Sequence, residues 1–123
     1  MSTAPQRQGA AKHIVCVSWL PALARTRELL FTDAGWRVTS IVGAEQLSEL
    51  RITGEADLLV LAHSVPRNEK QLAIQVFRQY CKAPVLSLLE PYQSLLREAD
   101  FGVEAISPAA VIDAVRNILN KAL

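Results

Sequence analysis

One histidine has the chemistry that an active site needs. His63 directly follows the apolar run Leu58-Leu59-Val60-Leu61-Ala62. An imidazole titrates near neutral pH, so it can act as a base, a metal ligand or a phosphoacceptor. No Ser, Cys or second His is arranged to complete a catalytic triad with it. We therefore expect His63 to be a loop residue that is hydrogen-bonded to the backbone.

The two cysteines do not indicate a metal site. Cys16 lies in a hydrophobic run and Cys81 follows a helix-like segment, with no Cys-x-x-Cys motif and no suitable histidine spacing. We expect two reduced, buried thiols, no bound metal and no other cofactor.

Charge and hydropathy exclude some classes of partner. Thirteen basic and twelve acidic side chains leave a net charge of +1, without the clustered excess that nucleic-acid binding requires. No apolar run approaches the ~20 residues that cross a bilayer, and the start has no hydrophobic signal core. We expect a cytoplasmic protein with no nucleic-acid or membrane partner, and a flexible tail over 1–11 before a single domain over 12–123.

Alternating strands and helices must position these groups. Residues 57–62 are apolar enough for a strand buried on both faces of a parallel sheet. Asn68 and Gln71 are spaced for a capping box at the start of the third helix, and Ser107-Pro108 is a typical helix start. Strands are predicted over 13–17, 36–42, 57–62, 84–89 and 103–106, and helices over 20–34, 44–51, 68–80, 92–99 and 107–122.

This alternation predicts an α/β fold. Short connections and right-handed crossovers require a parallel sheet covered on both faces. Five strands fit the flavodoxin-like (CheY-like) doubly wound order 2-1-3-4-5, whose switch point lies between strands one and three. A site at the carboxyl ends of the strands should gather Ser18, Trp19, Ala62, His63, Leu89 and Ser107.

Over about residues 12–123 the chain resembles a response-regulator receiver domain. The resemblance rests on length, element order, the run Asp57-Leu58-Leu59-Val60-Leu61 followed by Pro66, Pro84 before strand four, and Ser107-Pro108. Working receivers hold Mg²⁺ with an acidic pair after strand one and phosphorylate an aspartate after strand three. A hydroxyl after strand four and a lysine before the last proline assist this phosphorylation. In this chain the acidic pair falls on Ser18 and Trp19, and the acceptor falls on Ala62. The hydroxyl position falls on Leu89 and the lysine position on Ser107.

Other carboxylates do not replace the missing ones. Asp57 is five residues before Ala62, or roughly 16 Å along an extended strand, at the opposite edge of the sheet. Glu90 is nearer, but one loop carboxylate is a poor Mg²⁺ site without a second oxygen ligand. Ser87 takes the hydroxyl position if the alignment of strand four with the receiver pattern shifts by two residues. The resemblance therefore implies a degenerate pseudo-receiver without aspartyl phosphorylation.

As a pseudo-receiver the chain would be a stand-alone signalling module and not an enzyme. It would act by protein–protein interaction in a two-component-type system, with a histidine kinase, phosphotransfer or output protein as partner, or as a homodimer. The face that receivers use among themselves maps to Tyr92, Leu95, Leu96, Glu104, Val111 and Arg116.

Two alternatives remain open at this point. The first is a small flavodoxin-like ligand- or cofactor-binding protein, or an enzyme, that uses the pocket near Ala62 and His63. Ser18-Trp19-Leu20-Pro21 lacks the glycine that a phosphate cradle favours, and no Gly-x-Gly-x-x-Gly occurs. The second is phosphotransfer through His63, which would need such a cradle.

Overall fold

The computed structural model describes residues 11–52 and 55–121, so most of the predicted tail over 1–11 lies outside the described residues. The strands are β1 (His13–Ser18), β2 (Arg37–Val42), β3 (Leu58–Leu61), β4 (Val85–Leu89) and β5 (Phe101–Glu104). The helices are α1 (Pro21–Asp33), α2 (Arg67–Tyr80) and α3 (Pro108–Lys121), and a 3₁₀ helix covers Ala44–Ile52.

All five strands are parallel and lie in the order β2-β1-β3-β4-β5. This confirms the predicted flavodoxin-like topology. Val17 pairs with Leu61, and Leu61 pairs with Ser87. The carboxyl ends of β1, β3 and β4 therefore meet at one edge of the sheet, called here the carboxyl edge.

Each face of the sheet carries its own apolar layer. Strand side chains alternate between the two faces, so Ile14 and Val60 pack with α1 and α3, whereas Val15 and Leu59 pack with α2 and the 3₁₀ helix. The three central strands are almost fully buried. No helix in the described part of the chain is long and apolar enough to span a membrane.

Proline, glycine and serine set three of the helix ends. Pro21 is the first residue of α1, where its missing N–H is harmless. Gly35 follows this helix with a φ of 100°, a left-handed conformation that favours glycine. The Ser107 side chain caps α3, because its Oγ accepts a hydrogen bond from the Ala110 N–H at 3.1 Å.

The helix predicted over 92–99 is wrong. The chain there forms turns, because Glu90 and Gln93 close one of them with two hydrogen bonds. The Gln93 N–H donates to the Glu90 carbonyl at 3.0 Å, and the Gln93 side-chain oxygen accepts from the Glu90 N–H at 2.8 Å. Leu95 and Leu96 are adjacent, so they cannot both face the core. Leu96 is buried and Leu95 is exposed.

Three other local features differ from the predictions. The capping box of Asn68 and Gln71 is wrong, since α2 begins at Arg67 after an N-cap at Pro66, which has no side-chain donor or acceptor. The segment predicted as a short helix over 44–51 is a 3₁₀ helix. β5 begins at Phe101 rather than at 103, because Phe101 and Gly102 already pair with β4.

Candidate functional site

The six residues predicted to form the site lie near the carboxyl edge but not around one cavity. His63 and Ser107 line a cavity of about 210 Å³ between α1 and α3, called here the α1–α3 cavity. Leu89 lines a second cavity of about 260 Å³ beside α2, called here the α2 cavity. Ser18 and Ala62 are fully buried, and Trp19 packs against the apolar layer on the α2 face.

Ser18 and Trp19, at the position of an acidic pair, are used for local structure. The Ser18 hydroxyl accepts a hydrogen bond from the Leu20 N–H at 3.2 Å and donates to the Leu20 carbonyl at 3.3 Å. The Trp19 N–H donates to the Ser64 hydroxyl at 3.3 Å. The Trp19–Ser64 bond fixes the two loops after β1 and β3 against each other, and neither Ser18 nor Trp19 supplies the carboxylate that a divalent cation prefers.

Lys70 places a buried cation at the carboxyl edge. Its residue is 4% exposed, and its Nζ donates hydrogen bonds to the Ser87 hydroxyl and to the Leu88 carbonyl, both at 2.8 Å. Burial, followed by repulsion from the Arg67 charge, lowers the pKa of Lys70 from 10.5 to about 8. The ammonium is thus held inside the protein by two acceptors from one strand.

The Leu88 carbonyl is available to Lys70 because β3 ends early. The Leu59 N–H donates to the Pro84 carbonyl, whereas the Ala105 N–H donates to the Leu89 carbonyl. Since backbone groups alternate in direction along a strand, the Leu88 carbonyl faces β3. That strand stops at Leu61, and the ammonium satisfies an acceptor that a longer β3 would have paired.

Arg27 brings a second buried cation to the same edge from α1. It is 8% exposed, and its Nη2 lies 3.5 Å from the Nδ1 of His63. Its Nη1 is buried and has no hydrogen-bond partner among the described residues. The His63 ring therefore contacts a guanidinium, and the expectation that it would bond to the backbone is wrong.

The contact with Arg27 defines how His63 is protonated. Burial lowers the pKa of His63, the Arg27 charge lowers it further, Glu90 opposes the shift and Lys70 adds to it. A neutral ring at pH 7 follows. Because a guanidinium can only donate, Nδ1 is the acceptor and the proton sits on Nε2.

These residues do not suit the Mg²⁺ site of a working receiver. The resemblance aligns the acidic pair and the acceptor with Ser18, Trp19 and Ala62, none of which carries a carboxylate. Within residues 11–52 and 55–121, no group of three or more His, Cys, Asp or Glu side chains could hold a metal ion. Two cationic side chains, Arg27 and Lys70, would instead repel a divalent cation from this edge.

Asp57 lies at the opposite edge, as its position in the strand requires. Its carboxylate accepts a hydrogen bond from the His13 N–H at 2.8 Å, and its own N–H donates to the His13 carbonyl at 2.7 Å. Asp57 therefore ties the amino ends of β1 and β3 together and is unavailable to chemistry at the carboxyl edge.

The predicted interaction face is not continuous. Leu96 and Val111 are core residues, and this part of the prediction is wrong because Leu96 turns inward and Val111 faces the sheet. Arg116 lies 5.7 Å from the centre of the Trp36 ring, on the α1 side of α3. Tyr92, Leu95 and Glu104 are exposed as predicted.

The two cations were missed, although the sequence carries a signal for both. Arg27 falls at the three-to-four-residue spacing of the apolar stripe of α1, between Ala24 and Phe31. Lys70 holds the same position on α2, before Ala73 and Phe77. A charged residue within an apolar stripe is a candidate for burial.

No protein-family model matches the sequence, and a search of curated proteins finds no match. Solved structures do match. A response-regulator receiver domain (CheY-like) from Methylobacillus flagellatus aligns with a TM-score of 0.70 and 17% identity, over 88% of this chain and 98% of that one. The fold is that of a receiver domain.

Two further solved structures place the receiver fold in different settings. A putative pilus assembly protein, CpaE, from Burkholderia thailandensis aligns with a TM-score of 0.72 and 18% identity, over 89% of this chain and 98% of that one. A chain in the complex of the histidine kinase ThkA with the response regulator TrrA aligns with a TM-score of 0.69 and 17% identity, over 88% of this chain and 98% of that one. At these identities the likeness shows the fold alone.

Proposed function

We propose that the protein is a receiver-like signalling module that acts by binding another protein, independently of aspartyl phosphorylation, and that it is not an enzyme. The observation that carries the proposal is the buried Lys70 ammonium on the Ser87 hydroxyl and the Leu88 carbonyl. A receiver that is phosphorylated needs carboxylates and a hard cation at this edge. Here Ala62 offers no carboxylate, and positive charge occupies the neighbourhood.

The proposed partners are proteins of a two-component-type system. A receiver fold crystallised with a histidine kinase supports a protein partner in general, and a histidine kinase, a phosphotransfer protein and an output protein are the candidates. The proposed location is the cytoplasm, where such systems carry their signals. Neither nucleic acid nor membrane is proposed as a partner, because the net charge of +1 supplies no excess of basic side chains.

The proposed binding surface lies along β5 and the loops that follow β4 and β5. Tyr92 is 84% exposed and Leu95 is 60% exposed. A Cβ added to Gly102 would contact the Leu95 side chain, so Leu95 lies over β5. Phe101 and Ile106 on the outermost strand and its following loop are also exposed large apolar residues. Apolar side chains grouped in this way are suited to a protein partner.

Phosphorylation is tested by intact mass. The protein is incubated with Mg²⁺ and acetyl phosphate beside a working receiver treated identically, and both masses are measured without acid. We expect the working receiver to gain one phosphoryl group and this protein to keep its mass. Its melting temperature should also stay constant, since no ligand binds the native state. A labile phosphoryl adduct on this protein would refute independence from phosphorylation.

Partner binding is tested with matched surface variants. Tyr92→Ser and Leu95→Ser remove apolar area from the proposed surface, while Leu29→Ser removes a similarly exposed leucine from α1. Against candidate kinases and phosphotransfer proteins in solution, we expect the first two variants to weaken binding and the third to leave it unchanged. Light scattering tests the homodimer in the same samples. Equal effects of all three variants would place the partner elsewhere.

A further inference from the structure

The α1–α3 cavity combines an apolar wall with a few polar groups. Leu30, Ile106 and Val111 are among the residues that form the wall, and Arg27, His63 and Ser107 supply the polar groups. Small-molecule sites in proteins share this composition, in which a few polar groups fix the orientation of an otherwise apolar ligand. The cavity therefore has the general character of a ligand site.

The Arg27 guanidinium in this cavity lacks a counterion. The ion pairs among the described residues are Arg78–Asp100 and Asp113–Arg116, and neither involves Arg27. None of residues 1–10, 53, 54, 122 and 123 is Asp or Glu. A buried charge without an ionic partner is costly, so this arrangement favours a negatively charged group supplied from outside the domain.

Three further groups at this cavity favour negative charge. The Ser107 Oγ already accepts a hydrogen bond from the Ala110 N–H, so its hydroxyl proton is free to donate. Pro108 begins a 14-residue helix that also lines the cavity, and the amino end of such a helix favours negative charge. His63 adds a third donor, because its Nε2 carries the proton when its Nδ1 faces Arg27.

We propose that the α1–α3 cavity binds a small organic carboxylate with an apolar body. The carboxylate pairs with the Arg27 guanidinium, beside the His63 imidazole and the Ser107 hydroxyl, and the hydrocarbon part lies against Leu30 and Val111. This role goes beyond partner binding and does not depend on it.

Charge and size select a carboxylate over a phosphate. The planar guanidinium fork can pair with a carboxylate or a phosphate, but one guanidinium balances only one negative charge. A phosphate dianion would add a second charge to a cavity whose remaining wall is largely apolar. Since an apolar cavity of about 150 Å³ is known to bind benzene, a cavity of about 210 Å³ has room for benzoate or a short branched-chain acid.

The test is a titration of the whole protein with benzoate, followed by ¹H–¹⁵N NMR. We expect saturable shifts at Thr26, Arg27 and His63, with a dissociation constant on the order of 1 mM or tighter. Benzyl alcohol, which has the same ring without the charge, should bind about tenfold more weakly or worse. Two further anions are titrated in parallel. Inorganic phosphate carries charge without an apolar body, and hexanoate carries the carboxylate on a linear apolar body.

Arg27→Met and Arg25→Met form the matched pair of variants. Both residues lie on α1, but Arg25 is exposed and does not line this cavity. We expect Arg27→Met to weaken benzoate binding about tenfold or more and Arg25→Met to leave it within about twofold of the unmodified protein. If Arg27→Met does not fold, Arg27→Gln repeats the measurement with a neutral polar side chain.

Three outcomes would overturn the proposal. The first is unsaturable titration by both benzoate and hexanoate. The second is equal binding of benzoate by the unmodified protein and Arg27→Met. The third is tighter binding of phosphate than of benzoate at the same residues, which would assign the cavity to a different anion. None of these outcomes depends on phosphorylation or on a protein partner, so the two proposals can fail separately.

Discussion

Lys70 should make the free energy of unfolding depend on pH in the alkaline range. Its pKa in the folded protein is about 8, against 10.5 for an ordinary lysine, mainly because the ammonium is buried. Between these two values the unfolded chain binds more protons than the folded one. The free energy of unfolding therefore rises as pH increases through this range, and the cost of burying the charge is fully present below about pH 8.

The size of the effect follows from the same two values. A change from 10.5 to about 8 corresponds to an upper limit of about 3 kcal/mol. Because Lys70 also lines the α2 cavity, solvent in that cavity screens its charge, and we expect about 1–2 kcal/mol. The Cys16 thiol acts in the opposite direction. Its pKa is raised to about 11 by burial, so it lowers stability above about pH 9.

Urea unfolding at a series of pH values between about 7 and 10 measures the effect, with Lys70→Met and Lys82→Met as the compared variants. Lys82 is exposed, so its removal should leave the slope unchanged. Cys16 is present in every protein and cancels in the differences. We expect the unmodified protein to gain stability with pH relative to Lys70→Met. Equal slopes in all three proteins would show that the Lys70 ammonium is not desolvated in the folded state.

Three substitutions test other parts of the structure. Ser107→Ala removes the side-chain cap of α3 and should lower the free energy of unfolding by about 1 kcal/mol in urea, with Ser107→Asp restoring it. Phe77→Ala empties a fully buried ring position and should cost about 3–5 kcal/mol, seen as a large fall in melting temperature, whereas the exposed Tyr80→Ala should cost much less. Arg27→Met replaces a buried cation that has no ion pair among the described residues and should raise the free energy of unfolding without ligand by about 1 kcal/mol or more, seen as a higher urea midpoint. A lower midpoint would mean that the guanidinium stabilises the fold on its own.

Most of the fold could be predicted because its signals are local. The run 58–62 is apolar on both faces, and Pro21, Gly35 and Ser107-Pro108 mark helix ends by backbone conformation and capping. Once strands and helices alternate, the handedness of the crossovers leaves few possible sheet orders, and five strands fit the order 2-1-3-4-5. The helix predicted over 92–99 failed where the local signal was weakest, since Leu95 and Leu96 are adjacent and do not form a stripe, while the turn between Glu90 and Gln93 depends on one glutamine side chain.

The candidate site was harder to predict because it depends on contacts between distant segments. Arg27 and Lys70 fall within apolar stripes, but the spacing alone does not show where a long side chain ends. Lysine and arginine at such positions commonly extend their charge to solvent. Whether the charge stays inside depends on acceptors elsewhere, and for Lys70 the deciding acceptor is the Leu88 carbonyl, which is free only because β3 stops at Leu61.

The proposed function and the burial of cations at the carboxyl edge are physically connected. In a working receiver this edge concentrates negative charge, which a metal ion and a lysine neutralise. In this chain Ser18, Trp19 and Ala62 supply no carboxylate, and among the described residues Arg27 and Lys70 form no ion pair. Lys70 is compensated by two neutral acceptors, whereas the Nη1 of Arg27 has no acceptor among the described residues. The proposed preference of this edge is therefore for an anion, and it should be strongest at Arg27.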